Sequence, residues 1–413
     1  MAFEIRPIVE DEFSAFLDVN NIAFGQRPSP DHTASARKVI EFDRTLAAFD
    51  GGEIVGTAGV YSCDLTLPNM NTLPVAGVSW VGVLPTHRRR GLLRQLMVRQ
   101  LSDIRQRGAA IAILTASEGS IYGRFGYGLA TSYADYQIDR IHAGLRESPD
   151  DATGRVRLVE QEEAARFLPA LHDRARRLRA GAITRNDGWW SAFLSSPQGA
   201  TDGQGARFIA VYEDLGKIDG VVIYRINRRW ENGLAVGELS VRESIATTPI
   251  AYRRLWQYCL DIDLTASVQA STRPLDEPLR YMLADPRRLR VTHVGDDLWV
   301  RLIDIERALT VRGYSGEGKL TLRVHDSFIP ELAGFYELDA RLDGAVCRHG
   351  SGDENRAGDL EMDVSTLGAA YLGGVSFSTL CQAGRVVEHR RGAAALADRL
   401  FSVASAPYCG TGF

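Results

Sequence analysis

Leu93, Met97, Leu101 and Ile104 recur every three to four positions with Leu92 and Leu96 beside them, while Arg94, Gln95, Arg99, Gln100 and Asp103 fill the other face. That period predicts an amphipathic helix. Arg105 and Arg107 fall in its last turn, where the helix dipole favours cations, and Gly108 follows as a left-handed cap. Residues 78–83 before it form a Val-rich strand, and residues 109–115 after it are apolar throughout, as in a sheet covered on both faces. Strand, helix, strand in this order predicts a right-handed crossover between parallel strands. Upstream, residues 3–9 alternate as an opening strand, and residues 11–24 form a helix with Phe13, Phe16 and Leu17 on one side. Residues 45–49 and 53–65 make a hairpin around Asp50-Gly51-Gly52, and residues 73–83 continue the sheet. The polar stretch 25–43, with Pro28, Pro30 and His32, predicts a loop and short helix bordering a pocket.

A similar order then repeats. Residues 155–159 form a strand, 161–179 an Arg-rich helix, and 207–212 with 217–224 echo the earlier hairpin; 238–241 takes the place of 78–81, and 252–259 that of the later helix. The repeat predicts a duplicated α/β unit. From about residue 298 the pattern changes: Tyr336, Leu338, Ala340 and Leu342 alternate with Glu337, Asp339, Arg341 and Asp343, a half-buried strand. Residues 319–324 form another strand and 391–403 a closing helix, so this last region is α+β. Trp189 and Trp190 are expected in core and edge packing.

A chain of 413 residues, 45% hydrophobic and 24% charged with net charge −4, is globular and long enough for two or three domains. Of the 48 basic residues only Lys38, Lys217 and Lys319 are lysines, and carboxylates balance the arginines, which argues against a nucleic-acid partner. Cys63, Cys259, Cys347, Cys381 and Cys409 are odd in number, far apart and without a Cys-x-x-Cys pair, which predicts free thiols in a reducing cytosol and no metal site. The first residues lack the pattern of a signal peptide, and the longest apolar run is too short to span a membrane; a cytoplasmic location is expected.

The chemistry concentrates at residues 78–97. Arg88, Arg89 and Arg90 sit where the helix dipole is positive, a repulsive arrangement that a bound anion reverses, and Gly91 lets the backbone approach that anion closely. No Gly-Lys-Ser/Thr follows and no Gly-x-Gly-x-x-Gly is present, so neither a Walker loop nor a dinucleotide fingerprint is written here. Arg-x-x-Gly-x-Leu after a Val-rich strand resembles the phosphate-binding turn of the GNAT acetyltransferases. In the second pass no Arg-x-x-Gly lies between strand and helix; Ser244-Ile245-Ala246-Thr247-Thr248-Pro249 stands there instead. His87 adjoins the basic turn and is expected at the surface rather than as a base.

Together with residues 116–128, Ala-Ser-Glu-Gly-Ser-Ile-Tyr-Gly-Arg-Phe-Gly-Tyr-Gly, the turn closely resembles the Eis family, a three-domain branch of the GNAT enzymes that acetylates amines. The resemblance runs the length of the chain. It implies tandem GNAT folds, the second degenerate, over residues 1–140 and 141–297, followed by a sterol-carrier-like α+β domain over residues 298–413. It implies acetyl-CoA as co-substrate, with no metal, and a small-molecule amine substrate such as an aminoglycoside, acetylated at several positions. A homohexamer follows from the same likeness, whereas charge balance and the short apolar runs are what argue against a nucleic-acid or membrane partner. A protein or peptide lysine acetyltransferase would share every cofactor residue, as would a non-enzymatic module that binds acyl-CoA or lipid.

Site residues are carried over in the same way. Arg88, Arg89, Arg90, Gly91, Leu92, Leu93 and Arg94 would grip the diphosphate, and the backbone N–H groups of Val81, Gly82 and Val83 would hold the pantetheine arm and the thioester oxygen. Tyr122 and Gly123 would lie near the far end of the arm. Tyr127 would protonate the departing thiolate, and the carboxylate of Phe413 would be the general base. Where some relatives have an acidic residue just before that Phe, this chain has Gly412. Glu41, Asp43 and Glu118 are candidates for holding a polycation.

Overall fold

The computed structural model describes residues 3–27, 30–141, 143–147, 154–195, 205–350 and 357–413. The chain forms two compact units. One comprises Met1–Thr131, Ala180–Thr184 and Asp296–Phe413, the other Ser132–Arg179 and Arg185–Gly295.

The first unit opens with β1 (Glu4–Arg6), α1 (Phe13–Ala23), α2 (Pro30–Arg37), β2 (Thr45–Asp50), β3 (Glu53–Thr66) and β4 (Thr72–Val83). Then come α3 (Leu92–Gln106), β5 (Ile111–Thr115), the single turn α4 (Gly119–Tyr122) and β6 (Gly128–Leu129). Within the stretch 25–43, expected to border a pocket, Pro28 and Ser29 lie outside the described residues. Helix α3 takes most of its predicted face: Leu92, Leu96, Met97, Leu101 and Ile104 are buried and Leu93 partly so, but Gln100, expected on the polar face, is buried too and donates to the Gly59 carbonyl at 3.0 Å; Gly108 turns left-handed with φ 76° just beyond the helix. Its inner face covers β3 and β4, and burying such a stripe is what holds a helix of this length in place.

β4 is irregular where it matters. Opposite it on β3 the register jumps from Thr57↔Gly82 to Gly59↔Ser79, so Ala58 faces two residues, a β-bulge. Trp80 sits in the bulge at φ 57°, a conformation that costs energy in any residue but glycine. Its carbonyl accepts from Thr57 Oγ1 at 2.7 Å, and Thr57 in turn accepts from Asn20 Nδ2 of α1 at 3.3 Å. The bare Cα of Gly59 makes room for the indole, since a Cβ there would meet Trp80 at 2.8 Å. On its other side β4 pairs in parallel with β5 only at Ala76↔Ala112 and Gly77↔Ile113. The two strands run on to Val83 and Thr115 without further pairing, and a slot opens between their ends.

The second unit contains β7 (Ser132–Asp139), β8 (Arg155–Val159), α5 (Gln161–Arg176), α6 (Asp187–Ser195), β9 (Arg207–Asp214) and β10 (Lys217–Asn227). A small hairpin of β11 (Trp230–Glu231) and β12 (Leu234–Ala235) precedes β13 (Glu238–Ala246), α7 (Pro249–Asp261), β14 (Ser267–Pro274), the single turn α8 (Leu279–Met282) and β15 (Leu289–Asp296). Trp190 is buried and Trp189 partly so, within the core that α5 and α6 lay on this sheet.

The last region supplies β16 (Leu298–Leu302), α9 (Ile305–Val311), β17 (Gly318–His325), β18 (Gly334–Arg341), β19 (Gly344–Gly350), β20 (Leu360–Asp363), α10 (Val364–Ala370), α11 (Phe377–Gln382), β21 (Val386–Glu388) and α12 (Ala393–Phe401). Strands β17 to β21 form a five-stranded sheet in the order 19-18-17-20-21. The alternation predicted for residues 336–343 stops early: β18 ends at Arg341, and Leu342 is 70% exposed in the turn to β19.

Sheet membership crosses the divisions expected at residues 140 and 298. The first sheet runs β1-β2-β3-β4-β5-β16-β6 and the second, read from its far edge, β8-β9-β10-β13-β14-β7-β15. The strand after the first copy thus pairs with β14, and the strand after the second copy pairs with β5, both antiparallel. Each exchanged strand covers the open edge of the other copy's parallel pair.

Candidate active site

The end of α3 is open. Gly91 is its N-cap at φ 77° and offers no side chain, so the first amides of the helix lack an internal cap. A Cβ at Gly91 would meet nothing within 4 Å; the constraint there is backbone conformation and the access it gives. Arg89 is also left-handed, at φ 62°. The three arginines differ. Arg88 donates to the carbonyls of Ala23 at 2.7 Å and Val83 at 3.3 Å, tying the turn to α1 and β4. Arg89 and Arg90 are exposed, with no ion pair among the described residues. His87 is held by Asp50 at 3.2 Å and Thr86 at 2.8 Å.

A cleft of about 720 Å³ lies before this helix end. Of the predicted cofactor residues, Val81, Gly82, Val83, Arg88, Arg89, Gly91, Leu92, Leu93, Arg94 and Tyr122 line it, whereas Arg90 and Gly123 do not. Phe24, Val81, Ser117 and Tyr122 also line a second cleft of about 380 Å³, so the two are contiguous. The second cleft is walled by Tyr61, Trp80 and Phe413 and sits at the slot between β4 and β5. Tyr61 and Trp80 meet edge-on at 6.1 Å, and Tyr61 meets the Phe413 ring at 6.5 Å. No Asp or Glu among the described residues lines this second cleft.

The tail that carries Phe413 is anchored. Tyr408 N–H donates to the Ala180 carbonyl at 2.9 Å, and Cys409 N–H to Asp297 Oδ2 at 3.1 Å. Asp297 also accepts from Thr131 Oγ1 at 3.0 Å, and Gly410 takes the bend at φ 64°. Thr115 Oγ1, at the end of β5, donates to the main-chain oxygen of Phe413 at 3.4 Å. A Cβ at Gly77 would press on the Phe413 ring at 3.3 Å.

Tyr127 is fully buried and lines neither cleft. It lies behind Tyr122, ring against ring edge at 5.9 Å, and its hydroxyl has no hydrogen-bond partner among the described residues. An orphaned buried hydroxyl costs about 1–3 kcal/mol. Burial pushes its pKa up, the Arg301 guanidinium pulls it back and Tyr122 adds to the rise. Burial, with Glu118 nearby, also pushes Tyr122 up to about 12.

The candidate acids divide. Glu41 accepts from the backbone and hydroxyl of Ser62, and Asp43 pairs with Arg107 at 3.0 Å; both line a separate cleft with Cys63 and Arg44. Glu118 lines the larger of the two joined clefts. Sequence reading missed Asn20, Phe24, Tyr61 and Ser117 as cleft residues. Only strand register brings Tyr61 of β3 beside the bulge of β4, and no local pattern announces it. No group of three or more His, Cys, Asp or Glu able to hold a metal occurs among the described residues.

Residues 4–130 and 181–302 match GNAT acetyltransferase domain families, and residues 305–410 match a sterol carrier protein domain. An uncharacterised N-acetyltransferase of Streptomyces avermitilis is 37% identical over 98% of this chain and 97% of its own length. The crystal structure of Eis1 from Mycobacterium abscessus superposes with a TM-score of 0.87 at 33% identity, covering 99% of this chain and all of that one. N-acetyltransferase Eis of Mycobacterium tuberculosis is 33% identical over 91% of both chains. The chain belongs to the Eis family of GNAT N-acetyltransferases.

This Eis-family enzyme is therefore an acetyl-CoA-dependent N-acetyltransferase with two GNAT domains and a sterol-carrier-like domain. Its second GNAT copy lacks an open helix end: Thr248 caps α7 by accepting from Ala251 N–H at 3.2 Å, and Pro249 occupies the first helical position.

Proposed function

We propose that the enzyme passes the acetyl group directly from acetyl-CoA to a primary amine of a small multi-amine molecule, of which an aminoglycoside is the type, in a ternary complex. The continuity of the two clefts, with an uncapped helix end in one and the Phe413 carboxyl in the other, is the observation that carries this reading.

The diphosphate seats on the amides after Gly91, with Arg89 and Arg90 supplying charge and Arg88 keeping the turn in place. The pantetheine arm follows the edge of β4 that β5 has left, where N–H groups of Val81, Gly82 and Val83 meet the arm and the thioester oxygen. Tyr122 bounds the arm on the α4 side; Gly123, expected beside it, lines neither cleft. The Phe413 carboxylate accepts the amine's proton, the nitrogen attacks the thioester carbon, and the C–S bond breaks as the C–N bond forms. The thiolate takes its proton from Tyr122, which lines both clefts, whereas Tyr127, the acid that the family likeness implied, lies behind it and lines neither. A phenol raised by burial stays protonated until needed.

Free cysteines and the absence, among the described residues, of a helix able to cross a membrane support a cytoplasmic enzyme. The family likeness supports a hexamer, which light scattering of the purified protein measures. The decisive experiment offers aminoglycosides, simple amines and lysine peptides under one thiol-release assay and weighs the products. Aminoglycosides carrying more than one added acetyl are the expected result; acetylation confined to peptides, or no thiol release with any amine, overturns the proposal.

A further inference from the structure

The larger cleft has a wall that the GNAT domain does not make. Phe328 and Ser327 line it, and both follow β17 in the sterol-carrier-like domain. The Arg94 guanidinium, in the first turn of α3, lies 5.2 Å over the Phe328 ring, and Phe125 meets that ring edge-on at 5.0 Å. Arg94 has no carboxylate partner among the described residues, so its charge is uncommitted.

The loop that presents Phe328 is built rigidly. Asp326 Oδ1 accepts from the N–H groups of Phe328 at 3.0 Å and Ile329 at 2.8 Å, and Oδ2 accepts from Arg301 Nη2 at 2.6 Å. That ion pair is wholly buried, Arg301 at 0% and Asp326 at 1% side-chain exposure. Arg301 also packs against Gly126, where an added Cβ would lie 2.5 Å from Nη1, so one guanidinium fixes both the Phe328 loop and the turn that leads to Tyr127.

Phe24, Val81, Ser117 and Tyr122 mark the end of the large cleft that joins the Phe413 cleft, where the acetyl group reacts. Arg94, Phe125 and Phe328 line the large cleft and not the smaller one. A coenzyme seated with its thioester at one end and its diphosphate on α3 directs its nucleotide toward the other. An aromatic face stacks on purines, and an uncommitted arginine neutralises phosphate. We infer that Phe328 and Arg94 form the seat of the adenosine 3′-phosphate of the coenzyme, so that the sterol-carrier-like domain takes part in acetyl-CoA recognition. This rests on the diphosphate seat proposed above.

The test is calorimetric titration of the full-length enzyme with acetyl-CoA and with S-acetyl-4′-phosphopantetheine, which lacks the nucleotide. Phe328→Ala is expected to weaken acetyl-CoA binding about tenfold and leave the truncated donor unchanged, and Arg94→Ala to weaken acetyl-CoA more than the truncated donor. Phe328→Tyr keeps wild-type affinity. Phe328→Leu retains packing against Phe125 but loses the aromatic face, and should behave as Phe328→Ala even if the smaller residue unsettles the fold. Equal losses for both donors, or none for either, overturn the inference. Wild-type binding that tolerates Gly91→Val refutes the diphosphate seat itself; binding that needs Gly91 but ignores Phe328 overturns only the nucleotide seat.

Discussion

The two GNAT copies share strand order and differ at one helix end. In the first, α3 begins at left-handed Gly91 with no cap; in the second, α7 begins at Thr248 and Pro249, whose hydroxyl cap and missing N–H satisfy the same positions from within. The strands before them differ in step. β4 parts from β5 after two paired residues, while β13 stays paired with β14 over four, from Glu238↔Ser267 to Val241↔Ala270. A ligand-binding end and a self-satisfied end thus differ by a handful of residues on one framework, and the fold alone does not say which is which.

Blocking the carboxyl of Phe413 with a short C-terminal extension should test the open copy most severely. A fall in kcat of about a hundredfold or more is expected if the carboxylate is the base, measured by thiol release at saturating acetyl-CoA; full activity would remove it from the mechanism. Tyr122→Phe should lower kcat by about a hundredfold with acetyl-CoA affinity intact, whereas Tyr127→Phe, behind the cleft wall, should leave kcat close to wild type. The reverse pattern would assign the acid to Tyr127. Gly91→Val strains the φ 77° turn and withdraws charge-assisted bonds worth about 1.5–3 kcal/mol, so acetyl-CoA affinity should fall at least tenfold by calorimetry.

The closed copy should respond in stability alone. Burial, aided by Arg185 and Arg176, pushes the His172 pKa down to about 2 against an ordinary value of 6.5. The unfolded chain therefore binds a proton that the folded one refuses, and stability falls as pH drops below 6.5, by about 2 kcal/mol at pH 5. His172→Gln should flatten the thermal midpoint between pH 7 and 5, and an unchanged slope would exclude this imidazole as the source. Thr248→Ala should cost about 1 kcal/mol in denaturant unfolding and leave acetyl transfer untouched. A loss of catalysis there would erase the contrast between the copies.

Legibility in the sequence followed the range of the forces involved. α3, its Gly108 cap and the Arg-Gly turn were readable because amphipathic period, capping and dipole are settled within one helix. The bulge at Trp80 was not, since its left-handed backbone is held by Thr57 and Asn20, 23 and 37 residues apart along their own bonds. Leu342 continued an alternation that the turn to β19 cut short. The dual duty of Arg88, gripping the Ala23 and Val83 carbonyls where a phosphate contact was expected, also needed neighbours distant in the chain.

By itself the sequence determined the duplicated α/β pattern, the open helix start with its arginines, and the absence of that start from the second copy, because each is a local matter of period, charge and backbone freedom. Tertiary structure alone decided that β7 and β16 trade sheets, that Tyr61, Trp80 and Phe413 wall one cleft, and that Phe328 reaches the other. Those outcomes depend on strand register and on buried pairs such as Arg301–Asp326, whose partners find each other only once the core has closed around them.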